Sequence, residues 1–144
     1  MSDPYELERF VCAQEGAYER ALAEIRAGRK HSHWMWYIFP QIEGLGFSVM
    51  SQRFAIRSAA EAKAYLSHPL LGARLITSVE ALLDLQGRKV SEIFGFPDDV
   101  KLRSCATLFA AVSPAGSVFH RLLDKYFQGQ QDDATLKKLE GSQR

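Results

Sequence analysis

Apolar positions recur at three- and four-residue spacing through most of the chain and almost nowhere alternate, a pattern of amphipathic helices rather than strands. The first run carries Leu7, Phe10, Val11, Gln14, Tyr18, Ala21, Leu22 and Ile25, and predicts one helix to about Ala27 with Gly28 as its stop. Asp3-Pro4-Tyr5-Glu6 opens it, with Asp3 as N-cap, Pro4 where a missing N–H costs nothing, and Glu6 completing a capping box. Ser48 to Ile56 reads as a short helix carrying Ser51 and Arg53, and Ser58-Ala59-Ala60-Glu61 as a second capping box ahead of Tyr65 and Leu66. His68-Pro69 then breaks the chain before the stripe Leu70, Leu71, Leu75, Val79, Leu82 and Leu83, which Gly87 closes. Ser91 to Gly95 looks like one turn, and Pro97-Asp98-Asp99 starts a helix through Leu102, Cys105, Phe109 and Val112. Another helix carries Val118, Phe119, Leu122, Leu123, Tyr126 and Phe127 to Gly129, and a last turn runs from Asp132 or Asp133 through Leu136 and Leu139. Tyr37-Ile38-Phe39 is the one strand candidate and is too short for a sheet. The expected fold is all-α: a single domain over 1–144, core about 3–139 and polar tail 140–144, with about six or seven helices in an irregular or orthogonal bundle.

A chain of 144 residues, 47% hydrophobic and 24% charged, has enough apolar surface for one core and lacks the composition of a disordered chain. Its formal net charge of +1 argues against a binder of duplex nucleic acid, which needs many clustered Lys and Arg, but is compatible with a single phosphate or a nucleotide. No apolar run approaches the ~18–20 residues that span a bilayer, and Met1 to Glu6 lacks the regions of a secretory signal. A cytoplasmic protein without membrane contact is expected. Cys12 and Cys105 stand far apart, outside metal or redox spacings, and are expected to be core thiols. His31 and His33 have no third ligand at a metal-binding spacing, Gly44-Leu45-Gly46 falls short of a phosphate-binding glycine loop, and Ser104 lies in no GxSxG turn. No metal and no cofactor is expected.

Two stretches remain that could carry chemistry. His31-Ser32-His33-Trp34-Met35-Trp36-Tyr37-Ile38-Phe39-Pro40-Gln41 follows the basic pair Arg29-Lys30 and holds both tryptophans. Its rings either seal the bundle or form the wall of a site, with His33, Trp34, Trp36 and Gln41 against a ligand and Arg29, Lys30 or Arg53 facing a phosphate. In the second stretch, Asp98 to Cys105, helical spacing sets Asp98 near Lys101 beside the Leu102 stripe and pairs Asp99 with Arg103. One reading is a solvated helix start, where acids offset the macrodipole and each pair contributes roughly 0.2–0.5 kcal/mol. The other puts Asp98 and Lys101 at the edge of the core, where desolvation suits Lys101 to act as nucleophile or base.

Several of these stretches together resemble one family: Asp3-Pro4-Tyr5 with Arg9-Phe10, His33-Trp34-Met35-Trp36 with Ile38-Phe39-Pro40-Gln41, Ala64-Tyr65-Leu66 with His68-Pro69, Asp98-Asp99 with Lys101-Leu102-Arg103-Ser104, and Leu123-Asp124-Lys125-Tyr126-Phe127 with Gly129. They are similar to the domain of unknown function 1810 family, which implies a compact helical domain and brings no established activity. Its occasional label "calpastatin" suits repeat-built disordered inhibitors, and this chain has neither repeats nor low complexity. A more distant resemblance, to the NADAR domains implicated in NAD and ADP-ribose metabolism, implies that Lys101 meets an anomeric carbon, Asp98 or Asp99 handles the proton, and the aromatic block holds the base. The expectation is a nucleotide-like or phosphorylated small molecule bound between His31 to Gln41 and Asp98 to Ser104, Arg103 and Ser104 included, with hydrolysis of an N-glycosidic bond as the reaction. The alternative is a non-enzymatic interaction module or homodimer with Trp34, Trp36 and Tyr37 at its interface.

Overall fold

Ser104 to Ala110 are buried without a break, so this stretch of its helix is enclosed on all sides instead of lying on a surface. In the computed structural model, which describes residues 3–142, that helix is α8 (Asp98–Ala111). Before it come α1 (Glu8–Gln14), α2 (Ala17–Arg26), α3 (Met35–Ile38), α4 (Val49–Arg53), α5 (Ala59–Ser67), α6 (Leu71–Asp84) and α7 (Val90–Phe94), and after it α9 (Val118–Phe127) and α10 (Asp133–Ser142). The fold is all-α, with ten helices among the described residues where six or seven were expected. α5, α7, α9 and α10 pack around α8, and α6 lies against α2, α5 and α9. Thr107 and Ser104 remain buried in α8 because their hydroxyls donate to carbonyls one turn back, Arg103 at 2.8 Å and Val100 at 3.3 Å.

One extra helix comes from a local break that periodicity passes over, and others are stretches expected only as turns, which are helical over Val90–Phe94 and Asp133–Ser142. The long first helix is two, α1 and α2, because Gly16 takes φ 75° between them while the apolar spacing runs straight through. Asp3 does cap, but later than a capping box predicts: its carboxylate accepts from Leu7 N (2.8 Å) and Glu8 N (3.0 Å), while Glu6 sits at φ 54° outside the helix. Tyr37 and Ile38 belong to α3, not to a strand. The one isolated backbone bridge among the described residues is parallel, between Ile42 and Ile56: Ile56 N donates to Gln41 O and Glu43 N to Ile56 O, each at 2.8 Å. Cys105 is buried as expected, whereas Cys12 is exposed, because it lies on the face of α1 turned from the core, near Glu8. The expected polar tail is helical to Ser142; residues 143 and 144 lie outside the described residues.

Side chains, more than intrinsic propensity, fix the ends of α6. His68 Nδ1 accepts from Leu70 N (3.1 Å) and Leu71 N (3.2 Å) at its start. At its end Lys125 Nζ donates to the carbonyls of Leu83 (2.6 Å) and Leu85, and the Tyr126 hydroxyl to Leu82 O (2.5 Å). α6 also approaches α5 so closely that a Cβ on Gly72 would stand 2.1 Å from Leu66 O.

Arg9 joins α1 to the chain around residue 55 and to α5. All five of its donors are used: Nε to Arg53 O (2.8 Å), Nη1 to Tyr5 O (2.6 Å) and Glu6 O (3.0 Å), Nη2 to Ala55 O (2.7 Å) and Glu61 Oε2 (2.8 Å). Glu61 is 1% exposed, and its other oxygen accepts from Arg57 N at 3.2 Å. Removing the guanidinium strands that carboxylate, so Arg9→Gln should cost about 3–5 kcal/mol in urea denaturation. Arg9→Lys keeps the charge without the planar fork and should recover only part of it. A loss below about 1 kcal/mol for Arg9→Gln would mean the pair behaves as a solvated one.

Candidate functional site

The site is built around a carboxylate inside a turn. Glu24, on α2, accepts from His31 N (2.7 Å), Ser32 N (2.9 Å), Trp34 Nε1 (3.0 Å) and the Ser32 hydroxyl (2.6 Å). Partial burial works against its charge, but the donors from Ser32, His31 and Trp34 outweigh it and hold the carboxyl at about 2, down from 4.5. With its N–H satisfied there, Trp34 can be fully enclosed: it is 1% exposed and packs near Phe39 and Phe94 at ring distances of 6.1 and 6.3 Å. Trp34 is therefore a core residue and not a ligand wall, which also removes it as an interface anchor.

Lys30 ties this turn to α8. Its backbone N–H donates to Ile93 O (2.7 Å), and its Nζ reaches Ser32 O (2.6 Å) and Asp98 Oδ2 (3.0 Å) and lies 5.0 Å from the Trp34 ring centre. The other oxygen of Asp98 is 3.7 Å from Lys101 Nζ, and that ammonium stands 5.8 Å from the centre of the Trp36 ring. Both stretches singled out in the sequence thus meet, through Trp36.

Trp36 borders a cleft of about 430 Å³ with Gln41, Phe47, Ser51, Phe54 and Arg57. Gln41, Gly46 and Ser51 also border a second hollow of about 260 Å³, whose far side carries Phe96, Val100, Lys101, Ser104 and Asp132. The two hollows adjoin along Gln41, Gly46 and Ser51, the waist of one groove, with Trp36 bordering the first hollow, Lys101 and Ser104 the second, and Asp98 paired with Lys101. Ser104 is partly committed, its hydroxyl 3.1 Å from Asp132 Oδ2. The remaining expected residues lie elsewhere. Asp99 accepts from Val100 N (2.8 Å) at the helix start, and Arg103 reaches Asp132 (3.9 Å) in place of the Asp99 that helical spacing offers. His33 is exposed outside the lining, and Arg53 is exposed with its guanidinium 5.3 Å from the Phe54 ring centre. Arg57, Phe47, Phe96 and Asp132 were missed. Phe47 and Phe96 follow glycines and are 85% and 84% exposed, a placement readable as loop aromatics at a mouth.

An all-helical fold that brings an aromatic turn against the start of its central helix defines the class of this protein. The family model described as "Protein of unknown function (DUF1810)" matches residues 4–139, and the chain belongs to that family. It is similar to the conserved hypothetical protein Rv1873 from Mycobacterium tuberculosis, known from a 1.38 Å crystal structure, at 48% identity over 96% of this chain and 99% of that one, with a TM-score of 0.94. No curated protein matched the chain. Among the described residues no helix is long and apolar enough to cross a membrane.

The two tryptophans should separate by experiment. Trp34→Ala opens a core cavity and leaves Glu24 short of a donor, and should cost about 3–5 kcal/mol in chemical denaturation, against less than about 2 for Trp36→Ala. Equal losses would contradict the assignment of one ring to the core and the other to the groove. Because Glu24 is depressed in the folded state, its contribution to stability is complete above about pH 5 and is lost as pH falls towards about 2. Glu24→Gln should flatten that acid limb of a Tm-versus-pH profile; an unchanged slope would rule out Glu24 as its source.

Proposed function

We propose that the groove binds a nucleotide-like small molecule, its flat ring against Trp36 and its ring-to-sugar linkage at the waist beside Lys101. The observation that carries this reading is the placement of the Lys101 ammonium 5.8 Å from the Trp36 ring, with Trp36 bordering one hollow, Lys101 the other, and Gln41 both. A cleft of about 430 Å³ lies within the usual range of small-molecule sites and is mixed in character, with Trp36 and Phe47 for stacking and Gln41, Ser51 and Gln52 for hydrogen bonds.

In this reading the reaction is hydrolysis of an N-glycosidic bond, as the resemblance to NADAR domains implies: water adds to the anomeric carbon as its bond to the base nitrogen breaks, the Lys101 ammonium gives a proton to the departing nitrogen, and Asp98 takes the proton of the water. Charge supports a proton-donating role: Asp98 and the face of Trp36 both attract the ammonium. Asp98, with one oxygen beside Lys101, is the acid–base partner. Asp99 takes no part, since its carboxylate is turned back onto its own helix start.

Titration with AMP, NAD and ADP-ribose, followed by tryptophan fluorescence and Tm, tests the reading. A true ligand at a hundred times its Kd should stabilise the fold by about 2.7 kcal/mol. Trp36→Ala should abolish the shift, whereas Lys101→Gln should keep binding and lose release of free base, read by chromatography. No stabilisation by any of the three at millimolar concentration would overturn it.

A further inference from the structure

We infer that Arg57, Lys137 and Lys138 form a phosphate-binding subsite adjoining the Trp36 cleft. A hollow of about 480 Å³ is lined by these three cations with Ile42, Glu43, Gly44 and Gly141, and Arg57, Ile42, Glu43 and Gly44 border the Trp36 cleft as well. Arg57 therefore borders both spaces. This inference deepens the proposed function and rests on it for the ring-bearing end of the ligand; the cations themselves stand on separate observations.

The first of these is how Lys138 is placed. Gly44 adopts φ 96°, and a Cβ there would lie 2.9 Å from Lys138 Cε and 3.0 Å from its Nζ. The end of the lysine therefore rests over a backbone position that only a glycine leaves clear. α10 delivers Lys137 beside it, and Arg57 enters from the chain just after the Ile42–Ile56 bridge.

The second is that the charges are left unanswered. Among the described residues no carboxylate is paired with Lys137 or Lys138, and the only ion pair of Arg57 is with Glu6 at 3.9 Å, where both side chains are mostly in water. Three cations against the single carboxylate of Glu43 give the hollow an excess of positive charge in a chain whose formal net charge is only +1. Like charges gathered this way repel unless an anion sits among them, and a phosphoryl dianion matches the excess. The ligand then lies with its ring at Trp36 and Lys101 and its phosphate beyond Arg57, so that Lys101 is left to the linkage and not to the phosphate.

The test compares adenosine, AMP and inorganic pyrophosphate on the wild-type chain, an Arg57→Gln/Lys138→Gln double variant and Glu43→Gln, by calorimetric titration at low and moderate salt. All three positions are at the surface, and circular dichroism and Tm establish that the variants fold. The wild type should bind AMP about tenfold or more tightly than adenosine, with an advantage that shrinks as salt rises. The double variant should lose that advantage and its pyrophosphate binding while keeping adenosine, and Glu43→Gln should tighten AMP and pyrophosphate. Pyrophosphate binding lost in the double variant, without binding of adenosine, would uphold the subsite and remove the ring site of the proposed function. Equal affinities of the wild type and the double variant for both AMP and pyrophosphate would overturn the subsite, whatever becomes of the ring.

Discussion

One buried ammonium holds the two walls of the groove together. Lys30 is 8% exposed, and its charge is answered by Ser32 O, by Asp98 and by the face of Trp34. Taking an ammonium out of water costs several kcal/mol unless close partners offset it, so these contacts are not interchangeable with surface pairs. They come from two stretches of chain far apart in sequence, the turn after α2 and the first residue of α8. Because Asp98 is shared, the contact that holds the walls also orients Lys101 over Trp36.

Behind the groove, three polar side chains reach the aromatic segment or the chain that faces it. Gln14 is buried and uses both ends of its amide: Nε2 donates to Tyr37 O (2.7 Å) and the Tyr65 hydroxyl (3.1 Å), and Oε1 accepts from Arg74 (3.3 Å). Glu24 holds the turn before Trp34, and Arg9 holds the carbonyls of Arg53 and Ala55. A buried amide or carboxylate with every partner in place specifies one arrangement, since any other leaves a desolvated group unpaired. The back wall is therefore fixed by hydrogen bonds, while the front, from Glu43 to Gln52, is mostly solvent-facing loop and one short helix.

Much of this was legible in the chain. Apolar spacing located most of the helices, and the cap at Ser58 was readable because a hydroxyl ahead of a free amide is a local matter. Gly16 was not readable as a break, since the apolar faces of α1 and α2 stay in phase across it. The partner of Arg103 was missed for the opposite reason: spacing names Asp99, but tertiary packing brings Asp132 to it. The segment from His31 to Gln41 stands out by its composition, which does not sort its two tryptophans. Residues two apart on a helical turn point about 200° apart, so one must face inward, and deciding which required Glu24 as the indole's acceptor.

The Ile42–Ile56 bridge has an evolutionary corollary. It pins the ends of a stretch that supplies Gly46, Phe47, Ser51 and Gln52 to the groove, so that stretch hangs from the bundle as a tied-off excursion. Lengthening such an excursion costs little, about 0.6 kcal/mol for each doubling. Its tip can be rewritten by insertion or deletion with the helical frame and the Lys30 clasp left unaltered.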